Sequence, residues 1–206
     1  MLRLIYQVLL FFTFKIVLFG FEVTPYASAR YRFELWNGMN QKNFGNENYI
    51  GQLNDRLLLQ RIIIGADAKL HRKITFSVAI QDSRIFGWSL SSNNFKIGDS
   101  LGYYIMNPQE EFLDFYSLNL QWDSILDRTK IIIGRQKITF GDNRIFGPGE
   151  WGNTGRWSWD AIQLLWTNEN NFISGWIGGT KIHDPQVTSV PFLILNSMVV
   201  DFTQAF

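Results

Sequence analysis

Six arginines offer this chain its clearest chemistry. Arg30, Arg32, Arg61, Arg135, Arg144 and Arg156 each carry a planar fork of donors that stays charged at any relevant pH and fits a carboxylate two hydrogen bonds at a time. A surface lined by several such groups attracts anionic solutes. The same groups have a structural use. Glu34, Asp82, Asp142, Glu150 and Asp160 are candidate partners, and ion pairs with them would brace a wall. The two uses are compatible, because an enclosed polar surface needs both signs of charge to hold its side chains in place.

The remaining reactive residue types point nowhere as clearly. Glu110, Glu111 and Asp114 form an acidic cluster, as do Asp142 and Glu150. General acid–base catalysis is one use for such carboxyls; nothing else marks a site, so solvated loop charge is the expected reading. Asp142-Asn143 and Asn153 are too sparse for a calcium loop. His71 and His183 fall in turn-like positions, far from the ligand spacing a metal needs. Neither sits on a strand beside a serine of matching parity, which weakens a hydrolase built on an outer barrel wall. No phosphate-cradling glycine loop, zincin motif or nucleophile elbow occurs. The absence of cysteine excludes disulfides, thiolate metal sites and a thiol nucleophile. A net charge of +1 gives no electrostatic case for nucleic acid. No cofactor is implied, and the chain does not read as an enzyme.

The elements that must carry these residues are strands. The 206-residue chain is 46% hydrophobic and 16% aromatic, yet its mean hydropathy is only −0.05, so apolar and polar residues are finely mixed. After residue 20 the period is two. Ala27, Ala29, Tyr31, Phe33 and Leu35 alternate with Ser28, Arg30, Arg32 and Glu34. Ile74, Phe76, Val78 and Ile80 alternate with Thr75, Ser77, Ala79 and Gln81. Tyr116, Leu118, Leu120 and Trp122 alternate with Ser117, Asn119 and Gln121. Successive strand side chains face opposite ways, so each segment has an apolar and a mostly polar face. Leu57 to Ala68, Thr129 to Phe140, a hairpin of Ala161 to Thr167 with Phe172 to Lys181, and Phe192 to Phe206 complete about eight candidate strands. The connections Lys69 to Arg72, Asp123 to Arg128 and Asn168 to Asn171 are short. Asn37 to Asn54, Ser83 to Glu111 and Gly141 to Asp160 are long and polar.

Residues 1–29 read as an export signal. Met1, Leu2 and Arg3 give a short positive start, and Leu4 to Phe21 is apolar apart from Gln7, Thr13, Lys15 and Gly20. Ala27-Ser28-Ala29 has the small-x-small form of a cleavage site, and a cut near Gly20 is the alternative. The apolar stretch exceeds the usual h-region of about 7–15 residues. An uncleaved transmembrane anchor is the competing reading, and Lys15 inside the span argues against it. The remainder, 30–206, reads as one β domain.

A membrane barrel and a soluble sandwich both use alternating strands. They differ in what the faces meet. In a barrel the apolar face meets lipid, aromatics gather at the interfaces, and the polar face lines a lumen; short turns on one rim and long loops on the other belong to the same architecture. Tyr31, Tyr116 and Trp122 lie on apolar faces, and Trp36, Phe140, Trp166 and Trp176 lie near strand ends, where a girdle would place them. An all-β antiparallel transmembrane barrel is therefore expected. A secreted or periplasmic glycan-binding sandwich is the alternative.

One ordered set of motifs narrows this further. Gly134-Arg135-Gln136, Gly141-Asp142-Asn143-Arg144, Glu150-Trp151-Gly152-Asn153, Gly155-Arg156 and Asp160 closely resemble the alginate-export family of outer-membrane porins. Arg30-Tyr31-Arg32-Phe33-Glu34 and Gln81-Asp82-Ser83-Arg84 are similar to segments of the same family. The likeness runs from about Ala29 to Asp184. It implies a barrel in the Gram-negative outer membrane with roughly twice the strands counted here, so the chain is expected to be the N-terminal portion of such a barrel. Val187 to Asn196 departs from the pattern, and Gln204 interrupts the alternation of Met198, Val200 and Phe202. The implied activity is passive passage of small or anionic solutes, polyuronates included. By strand parity or by the resemblance, Arg30, Arg32 and Arg135 face the lumen, with Arg61 beside them. Arg144, Glu150, Asn153 and Arg156 sit in a long loop that can fold inward. The expected partners are membrane lipid and an anionic solute or acidic polysaccharide.

Overall fold

A computed structural model of the chain describes residues 2–18, 20–38, 51–98, 103–105, 107–139, 152–154, 158–169, 171–181, 188–189, 191 and 199–205. Among the described residues the secondary structure is all β apart from one short 3-10 turn at Ser92–Phe95. Strands β1 (Leu2–Thr13), β2 (Ile16–Leu18), β3 (Phe21–Asn37), β4 (Asp55–His71), β5 (Ile74–Phe86), β6 (Lys96–Gly98), β7 (Tyr103–Ile105), β8 (Glu111–Asp123), β9 (Thr129–Gln136), β10 (Trp159–Thr167), β11 (Phe172–Thr180) and β12 (Val199–Ala205) follow in order. All but β6 and β7, which pair with each other, join one ten-stranded sheet of order β1-β3-β4-β5-β8-β9-β10-β11-β12, with β2 also on β3. Every pairing is antiparallel.

From β3 onward this is an up-and-down meander. Residues 72–73, 124–128 and 168–171 make the short connections on one rim. Residues 38–54, 87–110, 137–158 and 181–198 make the long ones on the other. The eight strands β3, β4, β5, β8, β9, β10, β11 and β12 coincide with the eight expected segments. The sheet is open, with β1 and β12 at its edges.

The two faces invert the usual order of a water-soluble protein. On one face Tyr31, Phe33, Leu58, Ile64, Ile80, Phe86, Leu120, Trp122, Ile133, Ile162, Leu164, Ile173 and Ile177 are all exposed. Register sets many of them side by side, as in the row Ile133–Ile162–Ile177 across β9, β10 and β11. The opposite face buries Arg30, Arg32, Glu34, Arg61, Gln81, Ser83, Gln163 and Ser174. A buried polar face combined with a broad exposed apolar one is the informative departure from ordinary burial. Two small apolar clusters punctuate the polar side. Trp36, Leu57 and Leu59 pack with Ile85 and Trp88, and Ile138, Ala161 and Trp176 pack with Trp159.

These clusters correct part of the aromatic reading. Trp36 and Trp176 are each only 3% exposed and belong to the covered side, because they share parity with Glu34 and Ser174. They are no part of an interfacial girdle. Tyr31 and Trp122 do lie on the exposed face; Phe140 lies outside the described residues. The stretch expected to be an export signal forms β1 and β2 against β3, with Leu2 opposite Asn37 and Thr13 opposite Tyr26. The β6–β7 hairpin inside the 87–110 connection had no counterpart in the sequence pattern.

Candidate functional site

Two polar clusters occupy the covered face. The first starts from a like-charge juxtaposition: register puts Arg30 of β3 directly opposite Arg61 of β4. Like charges so placed repel, and nearby oxygens offset this. Arg32 Nε lies 2.6 Å from Glu34 Oε1, both groups buried, and Trp36 Nε1 donates to the other Glu34 oxygen at 2.6 Å. Arg30 reaches the segment 152–154. Its Nη2 donates to the carbonyl oxygens of Asn153 (3.1 Å) and Gly152 (3.4 Å) and to Asn153 Oδ1 (3.3 Å). Arg32 donates to the Gly152 oxygen as well.

This segment belongs to the long 137–158 connection and folds against the covered face. Gly152 makes the turn possible. Its φ is +73°, and a Cβ there would lie 2.3 Å from the Pro108 carbonyl oxygen, so only glycine fits without strain. Asn153, wholly buried, shares the two hydrogens of Nδ2 among the carbonyls of Gln60 (2.7 Å), Arg84 (3.0 Å) and Gln109 (3.0 Å). The amides of Asn153 and Thr154 both donate to the Pro108 oxygen. Gln81 Nε2 donates to the Thr154 oxygen at 3.1 Å.

The second cluster gathers around Arg135. Its guanidinium, 1% exposed, takes both carboxylate oxygens of Asp160 at 2.7 and 2.8 Å and approaches Asp114 Oδ1 at 3.4 Å. It also donates to the Phe115 and Ser189 carbonyls. Lys181 Nζ lies 2.6 Å from Glu111 and 2.8 Å from Asp114. Ser189 in turn donates to Asp114 through both its amide and its hydroxyl, which holds residues 188–189 on this face.

Two local irregularities make the second cluster possible. Strict alternation on β8, set by Ser117, Asn119 and Gln121, would send Asp114 to the apolar face. Register shifts between Ala79 and Ile80 and between Gln81 and Ser83 instead bring Asp114 opposite Gln81 and Glu111 opposite Ser83. Each shift absorbs extra residues on β8, the action of a β-bulge. On β9, register pairs Arg135 with outward Leu118, but Gly134 just before it has φ +123°, which breaks the pleat. A Cβ on Gly134 would meet the Leu118 oxygen at 2.2 Å. Gly134→Ala is expected to cost about 1–3 kcal/mol, the usual cost of a forced backbone outlier, read as a lower midpoint in denaturant unfolding from detergent micelles.

Of the sequence-derived candidates, Arg30, Arg32, Arg61, Arg135 and Asn153 all come to the covered face. Arg144, Glu150 and Arg156 lie outside the described residues, as do Asp142 and His183. Bracing partners Glu34 and Asp160 are found on Arg32 and Arg135. Asp82 instead pairs with Arg84 on the exposed side. The expectation of solvated loop charge fails for Glu111 and Asp114, which are among the most deeply buried of the described residues; a bulge turns Asp114 inward, and Glu111 already opens β8 rather than lying in a loop. Lys181 and Gln163 were not singled out from the sequence, and Gln81 entered only through strand alternation and the Gln81-Asp82-Ser83-Arg84 segment. His71 is exposed in the 71–73 turn, its Nδ1 facing the Lys73 amide. Among the described residues no group of three metal-ligating side chains occurs, and no helix is long and apolar enough to cross a membrane.

Neither a protein-family model, nor a curated protein, nor a solved structure matches the chain. The site itself offers buried arginine donors, paired acids and two infolded loop segments.

Proposed function

We propose that the chain is part of an outer-membrane β-barrel that passes small or anionic solutes, with polyuronates as the solute class implied by the motif resemblance. The inversion of burial carries this reading: the sheet turns isoleucine, leucine and phenylalanine outward and keeps arginine, glutamate and glutamine within. In lipid that arrangement is favourable, because acyl chains solvate the apolar face while the polar face encloses water and fixed charge. In water the same sheet would leave a broad apolar surface exposed. The alternation of short and long connections supports the same architecture.

Closure is part of the proposal. No water satisfies an open sheet edge within a bilayer, so the edges of this sheet require partners. Eight strands enclose little more than their own side chains, whereas this covered face also receives residues 152–154 and 188–189. A wider barrel than β3 to β12 alone can form is therefore expected, in keeping with an N-terminal portion. The export signal fits a cut near Gly20 better than one after Ala29. The first leaves β3 whole, and the second removes Phe21–Ala29, which pairs with β4 from Glu22 opposite Lys69 to Ala29 opposite Ile62. Amino-terminal sequencing of exported protein is expected to begin close to Phe21.

Passage through such a lumen needs no cofactor and no bond breaking. The test, made on the closed barrel that contains this chain, is electrophoretic migration with and without heating, followed by conductance in planar bilayers. Heat-modifiable migration and discrete conductance steps are expected. A compact, detergent-free particle that binds glycans would overturn the reading in favour of a soluble sandwich.

A further inference from the structure

We infer that residues 152–154 form a fixed constriction of the passage and that Asn153 is the positioning residue that sets its width and its charge. The inference rests on the channel reading and adds to it a named point of narrowing. Three observations carry it. Asn153 is wholly buried in the sheet's polar side, although it belongs to a connection between β9 and β10, far from β3 and β4 in strand order. Its one side chain links four separate places: the carbonyls of Gln60 on β4, Arg84 on β5 and Gln109 before β8, and the guanidinium of Arg30 on β3. The backbone on either side is tied again, through Pro108, Gln81, Arg30 and Arg32.

Such a segment is pinned rather than poised to swing. Each neutral hydrogen bond contributes modestly on its own, and those to a charged group contribute more. Together they order a peptide that would otherwise pay conformational entropy to stay inside. The consequence for a solute is twofold. Backbone of this segment takes up part of the cross-section at the level of Arg30 and Arg32. Its carbonyl oxygens also point the Arg30 guanidinium, so the position of that charge depends on Asn153.

The experiment uses the closed barrel that contains this chain, in detergent and in bilayers, with Asn153→Ala and Arg30→Gln made singly and together. Hydrogen exchange reports the pin, and conductance with polyethylene glycols of graded size reports the bore. In Asn153→Ala, exchange of the Thr154 amide is expected to quicken about tenfold or more. Conductance and the largest admitted polymer are expected to rise, and the reversal potential in a potassium chloride gradient to shift toward lower anion preference. Arg30→Gln should give the same selectivity shift, and the double variant no more than the larger single effect, since both act through one link. A folded Asn153→Ala protein with wild-type conductance and polymer cut-off overturns the constriction, even if the amide exchanges faster. Additive selectivity changes overturn the claim that Asn153 acts through Arg30. A closed wild-type barrel without any channel activity sinks the channel reading and the constriction together, and the exchange data then show only a structural tie.

Discussion

The Ile162→Arg substitution is expected to cost the membrane-inserted chain about 2–4 kcal/mol, the range for a basic side chain facing lipid near the bilayer midplane. Ile162 stands in the middle of β10, 46% exposed, with Ile133 and Ile177 as its cross-strand neighbours. Neither of these neighbours offers a counter-charge. At the surface of a soluble protein the same exchange is worth within about 0.5 kcal/mol either way. The difference separates the two environments. Folding into lipid vesicles, followed by denaturant titration, should show the loss, and Gln163→Arg on the opposite face serves as a comparison. Wild-type stability of Ile162→Arg in vesicles would count heavily against a lipid-facing β10.

The Arg135→Ala substitution is expected to be the most damaging change on the covered face. It removes the partner of Asp160 and a neighbour of Asp114, both ion-paired in the folded chain. Stranding a fully buried charge costs about 3–5 kcal/mol; Asp160 is 21% exposed and Asp114 keeps Lys181, so the lower end of that range is expected. It also frees Ser189, which accepts from Arg135 and leans on Asp114, so the 188–189 segment should loosen with it. Loss of heat-modifiable migration, or a large fall in the unfolding midpoint, is the expected readout. Arg135→Lys keeps the charge but loses the fork that spans Asp160, and should fall between the two. Normal stability of Arg135→Ala would mean that the acids around it are not held by this guanidinium.

The alternating segments of β3, β5 and β8 told both the strand type and the face of nearly every residue. Arg30, Arg32 and Glu34 were assigned to the polar side by parity alone, and the structure agrees because those strands pair without interruption there. Parity failed where backbone geometry departs from the simple pleat. Asp114 reaches the covered face only through a bulge, and a second bulge restores the original parity at Glu111; their presence depends on how β8 meets β5 rather than on any local composition. Arg135 needs the positive φ of Gly134, and the glycine was the one local sign of it. Trp36 and Trp176 were misread for a different reason. Aromatic residues near strand ends suit either a lipid interface or an internal apolar cluster, and only parity relative to Glu34 and Ser174 distinguishes them. Asn153 was a candidate through motif resemblance; its four-way role depends on strands brought together by the fold.

Because the chain contains no cysteine, single cysteines along β10 give the most direct test of the inverted faces. Ala161, Ile162, Gln163 and Leu164 can each be replaced in turn, labelled with a fluorophore, and folded into vesicles containing spin-labelled lipid. Labels at 162 and 164 should be strongly quenched by the acyl-chain probe, and labels at 161 and 163 should be shielded from it. Uniform insensitivity to the lipid probe at all four positions, in a protein that stays dispersed without detergent, would contradict a sheet whose apolar side meets the membrane.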